Sequence, residues 1–246
     1  MSLTVKLALS PLLVAQALLT RRRLPRLPEP AGQRHGVAGA AGAQVLHLLI
    51  AGDSSAAGVG VVTQREALAE QLAARLAETC GAQVHWRLVA KSGLTTAQTL
   101  HLLQRDEAPK AELAVLVTGV NDVVEQVPSH RALSAREALA NWLRNAHGVQ
   151  HVVFAPLPPV HHFPGLPQPL RWVAGADAKR HNGSMQGWAR TRGDVSCVDM
   201  SMPLNPGVMA ADGFHPGEPV YRYCAGAIAQ HVATHVWPLL QLESAP

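Results

Sequence analysis

Aromatic residues, charged residues and cysteines are all scarce in this sequence. Aromatic residues make up 4% of the 246 positions, which argues against a surface that stacks nucleic-acid bases. Charged residues make up 15% and hydrophobic residues 48%, a balance typical of a folded globular protein. The three cysteines form no CxxC pair and do not indicate a disulfide-rich secreted scaffold, so we interpret them as small buried residues.

Sequence motifs for metals and nucleotides are absent as well. Neither HExxH, nor GxxxxGK followed by Ser or Thr, nor GxGxxG occurs in the chain. His161 and His162 are adjacent, and adjacent residues do not form a ligating face. We therefore expect neither a metal ion nor an organic cofactor.

Positive charge is confined to the N-terminal part of the chain. Residues 1–44 carry a net charge of +5, whereas residues 45–246 carry −1. A nucleic-acid-binding domain is expected to have a basic stripe on its fold, so we expect no nucleic-acid partner. Residues 24–42 are rich in proline, glycine and alanine, which is typical of a linker or of an arm that wraps around the domain. We divide the chain into an N-terminal segment with its linker, 1–44, and a domain, 45–246.

Residues 7–19 form a mostly apolar run that is followed by arginines at 21–23. The run is shorter than the roughly twenty residues that span a bilayer, and its charge order is not that of a secretory signal. It could form a helix, with Ser10 as N-cap and Pro11 as first residue, that docks on the domain or contacts an anionic membrane surface. A degenerate signal or anchor is the third alternative. The pattern favours a cytoplasmic or membrane-associated location over secretion.

Short apolar runs alternate with longer helical patterns from residue 45 onward. Strands are predicted at 45–51, 84–90, 113–118, 151–155 and 195–198. Helices are predicted at 65–80, 95–105, 134–147, 176–192 and 218–236, the third with a capping box of Ser134 and Glu137. This alternation predicts an α/β fold, a three-layer α/β/α domain with a flavodoxin-like parallel sheet of about five strands.

Unusual polar residues follow the ends of the predicted strands, where open α/β sheets bind ligands. Gly52-Asp53-Ser54 follows the first strand, Gly93 the second, and Gly119-Val120-Asn121-Asp122 the third. A fourth cluster, Asp212-Gly213-Phe214-His215-Pro216, precedes the last helix. Ser54 at a strand-to-helix turn could act as a nucleophile or merely cap a helix. Asp212 and His215 could pair as in a catalytic triad or belong to an ordinary Asp-Gly turn.

Together these four clusters resemble the signature blocks of the SGNH hydrolase superfamily, the GDSL-like lipases and esterases, across residues 45–235. The resemblance implies Ser54 as nucleophile, His215 as base and Asp212 as the residue that orients it. It also implies an oxyanion hole made of the Ser54 and Gly93 backbone N–H groups and the Asn121 side-chain amide. Ser55 stands where the family usually has leucine. We interpret Asp53 and Asp122 as structural residues that bind loop amides.

The expected function is that of a serine ester hydrolase acting on short- to medium-chain acyl esters through an acyl-Ser54 intermediate. The substrate would be a small-molecule or lipid ester. Carbohydrate O-deacetylase, lysophospholipase and thioesterase activities are alternatives on the same fold. A non-catalytic, membrane-associated binding module is a further alternative, although it leaves the coincidence of the four clusters unexplained.

Overall fold

The computed structural model describes residues 3–106, 110–202 and 204–243. Its centre is a six-stranded sheet in the order β1-β3-β2-β4-β5-β6, in which only β1 runs antiparallel to its neighbour. The strands are β1 His35–Ala38, β2 Val45–Gly52, β3 Gln83–Ala90, β4 Leu113–Val117, β5 His151–Phe154 and β6 Val195–Cys197. The five parallel strands therefore have the flavodoxin-like order, as predicted.

Helices cover both faces of the sheet. They are α1 Leu3–Arg23, α2 Ser54–Ala57, α3 Leu68–Cys80, α4 Thr96–Leu103, α5 Val120–Val124, α6 Ser129–His147, α7 Leu170–Ala189, α8 Glu218–His235 and α9 Trp237–Glu243. Alternate residues of β2 point to opposite faces: Leu48 and Ile50 pack with α3 and α8, whereas Leu49 packs with α6 and α7. Burial on both faces explains the continuous apolar run of this strand.

Helix α6 begins earlier than its sequence predicts. It starts at Ser129, directly after Pro128, and so includes five residues before Ser134. The Ser134 hydroxyl donates a hydrogen bond to the His130 carbonyl one turn earlier (3.1 Å) instead of capping the helix. The predicted capping box is therefore wrong, because proline at the helix start provides the backbone geometry that the cap was expected to provide.

The N-terminal apolar run is helical, as predicted, but helix α1 does not begin at the predicted residue. It starts at Leu3 and continues through Pro11, so Ser10 is an internal residue and not an N-cap. Pro11 has no N–H to donate to the Leu7 carbonyl, and the Ser10 hydroxyl donates to that carbonyl instead (2.8 Å). Among the described residues, no helix is long and apolar enough to cross a membrane.

The segment interpreted as a linker is held against the domain. Its residues 35–38 form β1 on the edge of the sheet. The Glu29 Oε1 atom accepts hydrogen bonds from the Ser92 backbone N–H and hydroxyl (both 2.7 Å), and the Arg34 side chain donates to the Ala90 carbonyl (2.7 Å). These contacts join the segment to the loop after β3, which carries Gly93.

Candidate active site

Ser54, His215 and Asp212 form a continuous hydrogen-bonded chain. The distance between His215 Nε2 and Ser54 Oγ is 3.0 Å, and that between His215 Nδ1 and Asp212 Oδ2 is 2.6 Å. Asp212 favours the tautomer in which Nδ1 carries the proton and Nε2 accepts the Ser54 hydroxyl hydrogen. A base placed in this way can take the proton of a serine nucleophile.

Ser54 occupies its position because β2 ends in a tight turn. Gly52 has φ +156°, and a Cβ atom there would lie 2.0 Å from the Val117 carbonyl oxygen. Only glycine fits this approach of β2 to β4. Asp53 then caps the four-residue helix α2 by accepting from the Ser55 N–H (2.9 Å), so Ser54 becomes the first helical residue and is partly exposed.

A compact turn presents His215 to Ser54. Asp212 Oδ1 accepts hydrogen bonds from the backbone N–H groups of Phe214 and His215, both at 2.9 Å. Burial would raise the pKa of Asp212, but the hydrogen bonds from the His215 ring, the His215 backbone and the Phe214 backbone outweigh it and lower that pKa below its ordinary value of 3.8. Asp212 is therefore ionised at neutral pH, the state that supports an imidazolium on His215.

The loops with Gly93 and Asn121 lie next to the Ser54 turn. The Asn121 amide donates to the Leu94 carbonyl (3.0 Å) and, over a longer distance of 3.5 Å, to Asp53 Oδ2. Gly93 lies in the turn after β3 with φ +85°, and a Cβ atom there would meet no other atom within 4 Å. Asn121 thus links the loop after Gly93 to the residue before Ser54. In this state its hydrogen bonds go to these two loops and not to the Ser54 hydroxyl.

Asp53 and Asp122 both bind backbone amides, which confirms their interpretation as structural residues. Asp122 accepts from the Thr96 N–H (3.1 Å) and the Thr96 hydroxyl (2.5 Å), and so joins α5 to the start of α4. Asp53 is only 1% exposed, and this burial raises its pKa to about 7, although the hydrogen bond from the Ser55 N–H acts in the opposite direction.

The GDSL-like lipase/acylhydrolase family matches this chain over residues 50–223. The chain belongs to this family. Over 233 residues it is 26% identical to a GDSL-like esterase of Mycobacterium tuberculosis, a match that covers 87% of this chain and 73% of that protein. The protein is therefore an ester-bond hydrolase, and the resemblance seen in the four sequence clusters is confirmed.

Solved structures show the same fold at low sequence identity. A lipase from a goat rumen metagenome has a TM-score of 0.63 and 17% identity, covering 77% of this chain and 98% of that chain. A family 3 carbohydrate esterase of Clostridium thermocellum has a TM-score of 0.60 and 16% identity, covering 80% of this chain and 99% of that chain. These similarities bear on the architecture and not on the substrate.

One cavity of this GDSL-like hydrolase lies beside Ser54, and a second cavity adjoins the first. The first contacts Ser54 and His215 and is mainly apolar, with walls that include Val120, Leu157, Phe163, Met200, Met209 and Phe214. The second is more polar, and its walls include His161, His162, Lys179, Asn182, Gln186 and Asp199. Pro156, Leu157, Pro158, Met200 and Met202 border both cavities and form the wall between them. The start of the proline-rich segment that follows β5 thus borders both cavities.

His161 and His162 do not form a metal centre with neighbouring residues. Within the described parts of the chain, no group of three or more His, Cys, Asp or Glu side chains is arranged to hold a metal ion. Burial, together with the charges of His162 and Lys179, lowers the pKa of His161. His161 is therefore less readily protonated than an ordinary histidine.

Arg136 is a buried charged residue next to the site of this hydrolase. It lies in α6, is 1% exposed, and its Nη2 atom is 3.6 Å from Asp122 Oδ2. A Cβ atom on Gly119 would lie 2.5 Å from the same Nη2 atom, so the glycine leaves room for the guanidinium. Its spacing of three and four residues from Leu139 and Ala140 places it on the apolar face of the helix, and this spacing is the signal that could have found it.

Proposed function

We propose that this hydrolase cleaves carboxylic esters by acyl transfer to Ser54. His215 removes the hydroxyl proton as Ser54 Oγ attacks the carbonyl carbon, which forms the C–O bond of a tetrahedral intermediate. The intermediate collapses to an acyl-Ser54 ester, and the alcohol leaves with the proton held by His215. Water, activated by the same histidine, then releases the acid and restores Ser54. The observation that carries the proposal is the Asp212–His215–Ser54 chain at the mouth of an apolar cavity.

The negative oxygen of the intermediate requires hydrogen-bond donors. The Ser54 N–H at the start of α2, the Gly93 N–H and the Asn121 amide are the donors we assign, since the Asn121 side chain lies between the Ser54 and Gly93 loops. Each such donor lowers the barrier by about 2.7–4 kcal/mol in related chemistry. Asn121 would exchange one of its present acceptors for the oxyanion as the reaction proceeds.

The apolar cavity favours the acyl part of a short- to medium-chain ester. Its walls carry methionine, phenylalanine and aliphatic side chains, which suit a hydrocarbon chain. The polar cavity on the other side of the shared wall would take part of the alcohol. A sugar alcohol fits this polarity, so deacetylation of a carbohydrate is the second candidate activity.

The test is hydrolysis of p-nitrophenyl esters of increasing acyl length by wild type, Ser54→Ala and Ser55→Ala. Ser55 is the matched control because it is adjacent and also partly exposed. We expect Ser54→Ala to abolish turnover and Ser55→Ala to retain it. An acetylated xylo-oligosaccharide in the same assay compares the second candidate. Equal turnover by wild type and a folded Ser54→Ala protein would contradict the proposal.

A further inference from the structure

The face of helix α1 that contacts the protein carries three polar residues beside two leucines, and most of the large aliphatic residues of the helix lie on its exposed side. Its partly buried positions recur every three or four residues, and they are Lys6, Leu9, Leu13, Gln16 and Thr20. Lys6 Nζ lies 2.5 Å from the carboxylate of Asp177, which is buried on α7. The Gln16 side chain donates to the Gln168 carbonyl (2.7 Å) and accepts from the Leu170 N–H (3.1 Å).

The outward face of α1 is formed by large aliphatic side chains. Six of them are between 40% and 63% exposed: Val5, Leu7, Leu12, Val14, Leu18 and Leu19. No charged residue occurs between Lys6 and Arg21. A helix that docks on a domain in water has the reverse arrangement, with its apolar stripe against the core. A contiguous exposed patch of this kind marks an interaction surface.

The charges beside this face are all of one sign. Arg21, Arg22 and Arg23 end the helix, Arg26 follows, and all four are exposed. The first acidic residue of the chain is Glu29. A partner that covers the patch must therefore accept aliphatic side chains and supply several negative charges at one end.

An exposed tryptophan lies next to the docking contacts of α1. Trp172, in the first turn of α7, is 49% exposed, and its backbone N–H donates to the Gln168 side chain (3.2 Å). The carbonyl of the same glutamine accepts from Gln16 of α1. Tryptophan is enriched at the level of lipid headgroups, where an apolar ring meets polar surroundings.

We propose that the outward face of α1 inserts into the surface of an anionic lipid bilayer. The aliphatic side chains enter the boundary between headgroups and acyl chains, and the four arginines contact anionic headgroups. The Lys6 and Gln16 contacts hold the helix parallel to the domain surface, so insertion does not require α1 to leave α7. The favoured partner is lipid rather than a second copy of the chain, because the same face on a second copy has no acidic residue to offer the arginines.

The experiment is vesicle flotation of the full chain carrying Ser54→Ala, with vesicles of phosphatidylcholine alone or mixed with phosphatidylglycerol. The Ser54→Ala background separates binding from hydrolysis, so failure of the proposed esterase activity leaves this result interpretable. We expect binding to the anionic vesicles that weakens with added salt. L12Q/L18Q is expected to lower the partition coefficient at least about tenfold. R21Q/R22Q/R23Q is expected to lower it about a hundredfold on anionic vesicles only.

The matched control is V62Q/L242Q, which changes two exposed aliphatic residues outside α1, 77% and 75% exposed. It should bind like the parent protein, and circular dichroism should show all variants folded. Sedimentation velocity without lipid is the second measurement. The proposal would be overturned if the Ser54→Ala parent did not bind anionic vesicles, or if L12Q/L18Q left its binding unchanged. A dimer that L12Q/L18Q converts to monomer, without vesicle binding, would assign the face to a second copy instead.

Discussion

Two buried aspartates flank the Ser54–His215 pair, and their pKa values are shifted in opposite directions. Asp212 accepts hydrogen bonds from two backbone N–H groups and from the His215 ring, and its pKa is lowered. Asp53 accepts a hydrogen bond of 2.9 Å from the Ser55 N–H and a longer one of 3.5 Å from the Asn121 amide, and burial raises its pKa to about 7. Asp53 is the more deeply buried of the two and accepts fewer hydrogen bonds, and both differences raise its pKa relative to that of Asp212.

The comparison indicates which carboxylate can assist proton transfer. An imidazolium on His215 is stabilised by a neighbour that is negatively charged throughout the working pH range, and Asp212 has that charge. Asp53 retains a proton up to nearly neutral pH and instead ties the Ser54 turn to Asn121. Under the proposed mechanism, Asp212, His215 and Ser54 form the proton-transfer side of the site and are already hydrogen-bonded to one another, whereas the proposed oxyanion side depends on contacts between loops.

Replacing Asp212 with Asn should cause the largest loss. The amide cannot hold His215 in the tautomer that accepts the Ser54 proton, so kcat is expected to fall about 10⁴-fold with the fold retained. Ester hydrolysis and thermal unfolding measured on the same sample check this. An unchanged kcat would show that Asp212 does not assist proton transfer by His215. Asp53 would then have to be tested for that role.

Replacing Asn121 with Ala tests the oxyanion side. If the amide binds the oxyanion, kcat should fall about 10²–10³-fold while KM changes little. Thr96→Val is the control because it breaks the hydroxyl contact to Asp122 in the same region without removing a proposed donor. A rise in KM at constant kcat would mean that Asn121 binds the substrate uniformly and that the oxyanion has other donors.

The sequence predicts the proximity of Ser54, His215 and Asp212 more directly than the surroundings of Gly93 and Asn121, for a physical reason. Asp212 and His215 belong to one short turn, and Ser54 directly follows a strand, so local geometry and strand order bring the three together. The fold follows similarly from the alternation of apolar runs with helical patterns. Gly93 and Asn121 are held by contacts between loops, and their positions relative to the nucleophile depend on tertiary packing.

Other features were not predictable because a distant partner decides them. Glu29 lies in a segment whose composition indicates a linker or a wrapping arm. Its hydrogen-bond partner, Ser92, is 63 residues later in the chain. Local signals also misled where a proline was present. Pro11 and Ser10 look like a helix start, yet α1 passes through them because the Ser10 hydroxyl bonds the carbonyl that Pro11 leaves free.

Replacing Asp53 with Asn should alter how stability depends on pH. The folded protein keeps the Asp53 proton to a pH of about 7, while the unfolded chain loses it near 3.8. The folded state therefore binds more protons in this window, and this contribution to stability is lost as pH rises, by about 1.4 kcal/mol per pH unit. Urea unfolding should show Asp53→Asn gaining stability over wild type as pH rises towards 7.

Asp212→Asn is the matched comparison in the same unfolding series. The folded-state pKa of Asp212 lies below 3.8, so its stabilising contribution is present above that pH and is lost only as pH falls below it. Ionisation of Asp212 itself should therefore add no pH dependence to the stability between pH 5 and 7. Parallel slopes for wild type and Asp53→Asn would show that the two aspartates do not differ as described.

The smallest expected effect concerns Glu29, which holds the Gly93 loop from the N-terminal segment. Glu29→Ala removes the oxygen atom that accepts both hydrogen bonds from Ser92, and the freed loop should place the Gly93 N–H less accurately, so we expect kcat to fall about fivefold, the equivalent of one hydrogen bond. Glu78→Ala, which removes an exposed carboxylate paired with Arg75, is the control. A lower melting temperature with unchanged kcat would mean that Glu29 stabilises the N-terminal segment without positioning the Gly93 N–H. A fall in kcat at constant KM would show that Glu29, which precedes the first parallel strand, helps to position an oxyanion donor.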